Sequence, residues 1–192
     1  DVTSYRIAVI GGTGPQGKGL AYRFAKHGHT VVLGSRSAER AEAAAAEIRE
    51  RVPSGEVSGA GNVDAAAAAD VVLLAVPYDG HDELVDDLAP VLEGRTVISC
   101  VNPLGFDKQG PYGLDVQGGS AAESAARIVP GATVVGAFVG ATHVAPIDDA
   151  DSIRADIEET RLPMTFRPNA CSSTERISRS ATMSVSPSEQ SR

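Results

Sequence analysis

Three glycines, Gly12, Gly14 and Gly17, stand in the spacing G-x-G-x-x-G within Gly11-Gly12-Thr13-Gly14-Pro15-Gln16-Gly17. Glycines so spaced let backbone N–H groups close around a pyrophosphate. Gly12 is expected to make the tight turn, Gly14 to let the backbone approach the phosphates, and Gly17 to let helix and strand pack closely. The pattern carries weight only between a strand and a helix, and both are readable. Arg6 to Ile10 is a short apolar run that reads as a buried strand. From Pro15 to His27, Leu20, Phe24 and Ala25 give one apolar helical face, Pro15 suits a first turn, and Gly28 a stop. The helix start adds unbonded N–H groups and the positive end of its dipole.

The second strand, Thr30 to Leu33, runs into Gly34-Ser35-Arg36. An NAD site usually has Asp or Glu there, which accepts from the ribose 2′-OH and repels a 2′-phosphate. Ser35 offers a hydroxyl and Arg36 a charge-assisted fork for phosphate oxygens, with Arg40 one helical turn on. This trio predicts NADP rather than NAD. Val76-Pro77-Tyr78 follows the fourth strand at its carboxyl end, where ligands bind in such sheets. There Tyr78 either lines the nicotinamide side or packs as a loop residue. Asn102-Pro103-Leu104-Gly105 follows the fifth strand and reads as a pocket wall or a turn. His81 begins a helix on the same side without an evident partner. The four histidines have no metal-ligand spacing, and no Gly-x-Ser-x-Gly elbow occurs.

These residues need a scaffold, and the remaining pattern supplies it. Ser37 to Arg51 reads as a Ser-capped, Ala-rich helix, followed by a weak strand around Val57 and a short helix over Asp64 to Ala69. Val71 to Val76 reads as a strand covered on both faces, His81 to Leu92 as a helix, and Thr96 to Val101 as a strand. Ala121 to Val129 reads as a helix and Thr133 to Phe138 as a strand. Strands alternating with helices predict an α/β fold, a Rossmann-type doubly wound, mainly parallel sheet. We place an NADP-binding domain over 1–150 and a second segment over 151–192. From Arg167 the chain is rich in Ser, Arg and Thr, and a polar, poorly ordered tail is expected, with room for a short helix near Thr174 to Ser180.

Composition narrows the function classes. The chain has 192 residues, 42% of them apolar, which suffices for one packed domain. With 17 basic against 25 acidic residues it is a poor electrostatic match for nucleic acid or an anionic membrane. Aromatic residues make up 4% and Trp is absent, which argues against a base-stacking platform. No bilayer-length apolar run or signal peptide is read, and Cys100 and Cys171 form no pairing pattern, so a cytoplasmic location is expected.

The stretch Ile7-Ala8-Val9-Ile10-Gly11-Gly12-Thr13-Gly14-Pro15-Gln16-Gly17-Lys18-Gly19-Leu20, with Gly34-Ser35-Arg36, Ala75-Val76-Pro77-Tyr78 and Val135-Gly136-Ala137-Phe138, resembles the NADPH-dependent reductases of coenzyme F420, a deazaflavin. The resemblance covers roughly Tyr5 to Ala145. It implies an oxidoreductase that passes a hydride directly between NADP(H) and coenzyme F420, and a homodimer. It assigns no catalytic side chain. Thr13, Ser35, Arg36 and Arg40 would hold the 2′-phosphate side, Gly14, Pro15 and Gln16 the pyrophosphate, and Val76 and Pro77 the nicotinamide. The chain departs from the family in having Val139-Gly140 after Phe138 where His is usual, with His143 displaced. Its C-terminal region is polar where the family's is apolar, an atypical or truncated end. An NADP-binding module without catalysis, or a reductase of another small substrate, are the competing readings.

Overall fold

The structure, a computed structural model, describes residues 4–139 apart from 109 and 118. β1 (Arg6–Ile10) leads into α1 (Pro15–Lys26), β2 (Thr30–Ser35) into α2 (Ala38–Arg51), β3 (Val57–Gly61) into α3 (Asn62–Ala67), and β4 (Val71–Leu74) into α4 (His81–Leu92). After β5 (Thr96–Ser99) comes a hairpin of β6 (Leu104–Asp107) and β7 (Gly110–Gly113), then α5 (Ala121–Ile128) and β8 (Thr133–Gly136). Six strands form one parallel sheet in the order β3-β2-β1-β4-β5-β8. The chain starts at β1, moves outward to β3, and crosses back to lay β4 on the other side of β1. That reversal parts the following loops and opens a crevice at the carboxyl ends of β1 and β4.

Strand alternation builds two cores. Ala8, Ile10, Val72, Leu74 and Val97 face Val85, Leu88 and Leu92 of α4 and Ala121 and Ala125 of α5. Ile7, Val9, Val31, Leu33 and Leu73 face Leu20, Ala21 and Ala25 of α1 and Ala41, Ala44, Ala45 and Ile48 of α2. Each fully buried Leu or Ile stabilises by roughly 1.5–3 kcal/mol, so the doubly covered central strands anchor the carboxyl edge. The alanines of α2 let it lie close to β3, where a side chain at Gly59 would run into the Ala41–Glu42 backbone. At the opposite edge Arg95 donates to the carbonyls of Val91 (2.7 Å), Ala67 (2.9 Å) and Ala69, fastening the ends of α3 and α4 to the start of β5.

The expected Rossmann-type sheet is present, and its departures have physical reasons. The strands expected to reach Val76, Val101 and Phe138 end at Leu74, Ser99 and Gly136. The ladder continues for one more bond at each, from Ala75 N to Ile10 O, Cys100 N to Leu74 O and Ala137 N to Ser99 O. Val76 still packs against the core and Val101 is buried in it, so apolarity does not mark where a strand stops. β2 runs on through Gly34 and Ser35, and the short helix starts at Asn62 rather than Asp64. The β6–β7 hairpin was not expected, because Gly110-Pro111 reads as a breaker. Its pairing runs Leu104 with Gly113 to Asp107 with Gly110. The segment 151–192, the polar tail and the helix near Thr174 lie outside the described residues. Among the described residues no helix is long and apolar enough to cross a membrane.

Candidate functional site

The Gly-rich loop sits where β1 meets both neighbours. Gly11 N and Gly12 N both donate to Gly34 O, at 3.1 and 3.2 Å, which ties the loop to the residue before Ser35. On the other side a side chain at Gly11 would strike Ala75 O and Val76 Cγ1, so the loop also touches the exit of β4. Gly11, with φ +78°, makes the left-handed turn that was expected at Gly12. Gly12 is instead required by closeness: a Cβ there would lie 2.6 Å from Leu33 Cδ2 and 2.8 Å from Val9 O. At Gly17 a Cβ would lie 2.6 Å from Gly11 O and 2.8 Å from Gly12 Cα, so this glycine sets the close packing of α1 on the loop, as expected. Gly14 differs from these. A Cβ there would meet only Gly11 O, at 3.5 Å, so its Cα borders open space.

Helix α1 begins at that open space. Its N-cap is Gly14, no side chain caps it, and no acidic residue stands in its first turn. Each of the other four helices has a capping serine or an acidic first-turn residue: Ser37 for α2, Asp64 in α3, Asp82 and Glu83 in α4, and Ser120 for α5. Among the described residues only α1 therefore presents an unneutralised positive end, and it does so at the carboxyl edge of the sheet, beside β2 and β4.

The end of β2 carries the second part of the site. Ser35 Oγ accepts from Ser37 N at 3.4 Å, which orients its hydroxyl beside the α2 start. Ser37 caps α2 as expected, accepting from Arg40 N at 3.3 Å and donating to Glu39 at 2.7 Å. Arg36 and Arg40 are exposed, and among the described residues no hydrogen bond or ion pair engages either guanidinium. Glu39 was missed by the sequence reading, though the Ser-x-Glu spacing signals it. The Ser37 hydroxyl lowers its carboxyl from the usual range, so it is ionised at the rim of the site. Lys18, within the quoted motif, pairs with Glu47 at 2.6 Å and joins α1 to α2. Thr13 and Gln16 are half-buried at the loop, Pro15 exposed. Gln16 Nε2 donates to Phe138 O at 3.4 Å, so the chain leaving β8 reaches toward the start of α1.

Val76 is half-buried against the loop, and Pro77 is exposed beyond it. The structure thus brings Gly12 to Gly17, Ser35, Arg36, Val76 and Pro77 to one edge. Tyr78 packs against the core. His81 has a partner after all: its Nδ1 lies 2.8 Å from Asp82 Oδ1. Residues 102–105 enter the hairpin, and His143 lies outside the described residues.

A family model described as NADP oxidoreductase coenzyme F420-dependent matches residues 6–103, from β1 through β5 into the loop beyond it. The F420-dependent NADP reductase of Methanothermobacter thermautotrophicus is 39% identical over 158 residues, taking in 79% of this chain and 68% of that protein. The chain belongs to the coenzyme F420-dependent NADP oxidoreductase family. A second relative, the F420-dependent NADP reductase of Methanocaldococcus jannaschii, is 37% identical over 154 residues, taking in 77% of this chain and 68% of that protein. Among solved structures, a lactate dehydrogenase from Cryptosporidium parvum superposes with a TM-score of 0.54 at 20% identity, over 71% of this chain and 44% of that one. At that identity the likeness speaks for the fold. This member of the F420-dependent oxidoreductases thus shares its parallel α/β fold with that dehydrogenase, of which it spans less than half.

Proposed function

We infer that the chain carries the reaction of its family, hydride transfer between NADP(H) and coenzyme F420. The observation that carries the reading is the bare N-terminus of α1. It is open at Gly14, free of acidic residues, and flanked by Ser35-Arg36 on one side and Val76-Pro77 on the other. These residues fit a dinucleotide phosphate. Gly14, Pro15 and Gln16 lie along the pyrophosphate, with the helix dipole behind them. Thr13, Ser35 and Arg36 hold the 2′-phosphate, Arg36 through a planar fork, with Arg40 adding charge one turn on. The absence of a carboxylate at position 35 or 36 removes the repulsion that would reject the phosphate.

When bound, the nicotinamide donates or accepts the hydride. Such a transfer needs no nucleophile, so the task of this chain is placement: Val76 and Pro77 wall the ring while the loop fixes its phosphates. The homodimer that the resemblance implies belongs to the same proposal, and light scattering of the full chain tests it. The test of function is NADPH oxidation followed by absorbance with oxidised F420. Turnover is expected. Folded protein that oxidises no NADPH in its presence overturns the reading.

A further inference from the structure

His81 opens α4 with none of its side chain exposed. Its Nδ1 lies 2.8 Å from Asp82 Oδ1, and a carboxylate only accepts, so Nδ1 carries the proton and donates. The same oxygen accepts from Ser124 Oγ at 2.9 Å, so one atom joins the first turn of α4 to α5. The imidazole lies against the Tyr78 ring, with centroids 6.2 Å apart and 23° between planes. His81 N also donates to Tyr78 O at 3.0 Å, across a turn that Gly80 makes at φ +73°. The loop from Ala75 to Gly80 is therefore fixed at both ends, by the Ala75–Ile10 ladder bond and by His81.

Stability is a poor account of this residue. Its Nε2 is buried and among the described residues has no hydrogen-bond partner, a cost that Phe or Leu in the same space would not carry. Its partner Asp82 is 58% exposed, and a solvated carboxylate contributes little through such a pair. What the imidazole supplies, and an apolar residue would not, is a donor of fixed direction on a flat ring that packs on Tyr78. Two residues before Tyr78 stands Val76, in contact with the phosphate-side loop at Gly11. A shift of Tyr78 moves that wall.

We propose that His81 is a positioning residue for hydride transfer: held by Asp82 and Ser124, it sets Val76 and Pro77 against the nicotinamide by way of Tyr78. The inference rests on the reading of Val76 and Pro77 as the nicotinamide wall. It separates the two halves of the cofactor, because Ser35 and Arg36 lie across β1 from this loop and do not depend on it.

The experiment uses the full chain with His81→Ala, His81→Asn and His81→Phe. Three quantities are read: single-turnover hydride transfer to F420, emission of bound NADPH, and affinity for adenosine 2′,5′-bisphosphate, which lacks the nicotinamide. His81→Ala is expected to slow transfer by about tenfold to hundredfold, the range for a displaced reacting group, and to change the nicotinamide emission. Its bisphosphate affinity should stay at the wild-type value. His81→Asn keeps a donor toward Asp82 and should recover part of the rate, while His81→Phe, which keeps only the ring, should recover less. Wild-type transfer in His81→Ala, or a bisphosphate affinity that falls in step with the rate, overturns the proposal. If His81→Ala does not fold, the Asn and Phe variants carry the comparison, and equal rates at the wild-type value refute it. If the wild type itself does not reduce F420, the functional reading fails separately. Emission and bisphosphate binding then decide: emission equal in wild type and variants refutes positioning, and a change confined to emission supports it.

Discussion

Gly14 and Gly17 share a motif but not a surrounding, and a methyl group at each should do opposite things. At Gly17 a Cβ would meet three backbone atoms, Gly11 O at 2.6 Å, Gly12 Cα at 2.8 Å and Gly11 C at 3.1 Å. Backbone cannot swing aside as a side chain can, so α1 must back away from the loop. Overpacking of this kind costs about 1–3 kcal/mol. Replacing a helical Gly by Ala returns about 0.8–1 kcal/mol, so Gly17→Ala should lose up to about 2 kcal/mol of stability. At Gly14 the only neighbour is Gly11 O at 3.5 Å, an ordinary contact, and φ is −81°, which alanine adopts freely. Gly14→Ala should therefore melt close to the wild type, short of about 1 kcal/mol for a poorer N-cap. Its methyl would stand where phosphate oxygens must approach. Losing one charged hydrogen bond of about 1.5–3 kcal/mol predicts NADPH binding weaker by roughly tenfold to 150-fold. Denaturant melts and fluorescence titration with NADPH measure both variants. If Gly14→Ala binds NADPH within twofold of the wild type, the open side of Gly14 is not the phosphate site.

Arg36→Asp should weaken NADPH binding by about 1.5–3 kcal/mol through the lost contact alone, with repulsion added, and shift preference toward NADH; unchanged affinities for both would show that Arg36 does not read the 2′-phosphate. The His81 bond holds the Asp82 carboxyl below its ordinary value near 3.8. A depressed carboxyl stabilises the fold above its unfolded value, and that contribution disappears as pH falls through the folded one. Urea midpoints between pH 3 and 6 should therefore drop more steeply in the wild type than in Asp82→Asn, and parallel curves would refute the link. Burial pushes the Cys100 thiol up to about 12, so alkylation at neutral pH should reach Cys100 only after unfolding, as peptide mass spectrometry would show; rapid labelling of the native chain contradicts its burial.

The helix over His81–Leu92 and the Ser37 cap were legible because each depends on neighbours in sequence: an apolar stripe, a hydroxyl before an Ala-rich run. The Gly-rich loop was legible for the same reason. The assignment of the turn to Gly12 rather than Gly11 failed because the deciding contacts, Ala75 O and Val76 Cγ1, come from a strand distant in sequence. His81 looked partnerless although Asp82 is adjacent. What completes the network is Ser124, 42 residues from Asp82 and reached only when α4 and α5 pack together. The hairpin escaped because Gly110, Gly113 and the proline between them argue locally against a strand, and pairing with Leu104 to Asp107 overrides them. The Ser120 capping box with Glu123 was written in the sequence, Ser-x-x-Glu before an apolar run, and went unread.

The strand order also has a consequence for how the chain acquires its crevice during synthesis. β1 pairs with β2, its nearest strand in sequence, and that pairing already sets Gly11 and Gly12 on Gly34 O. The other side of β1 waits for β4, which arrives only after α2, β3 and α3. Closing a long loop carries an entropy cost that short-range pairing does not, so contacts near in sequence form earlier. The half of the crevice proposed for the adenosine can thus be in place on a nascent chain while the half proposed for the nicotinamide is still unmade. A ribosome-stalled fragment ending after β3 would present the phosphate loop and Arg36 without the Val76–Pro77 wall. Domain maturation and the gain of redox competence are then separate events, ordered by topology.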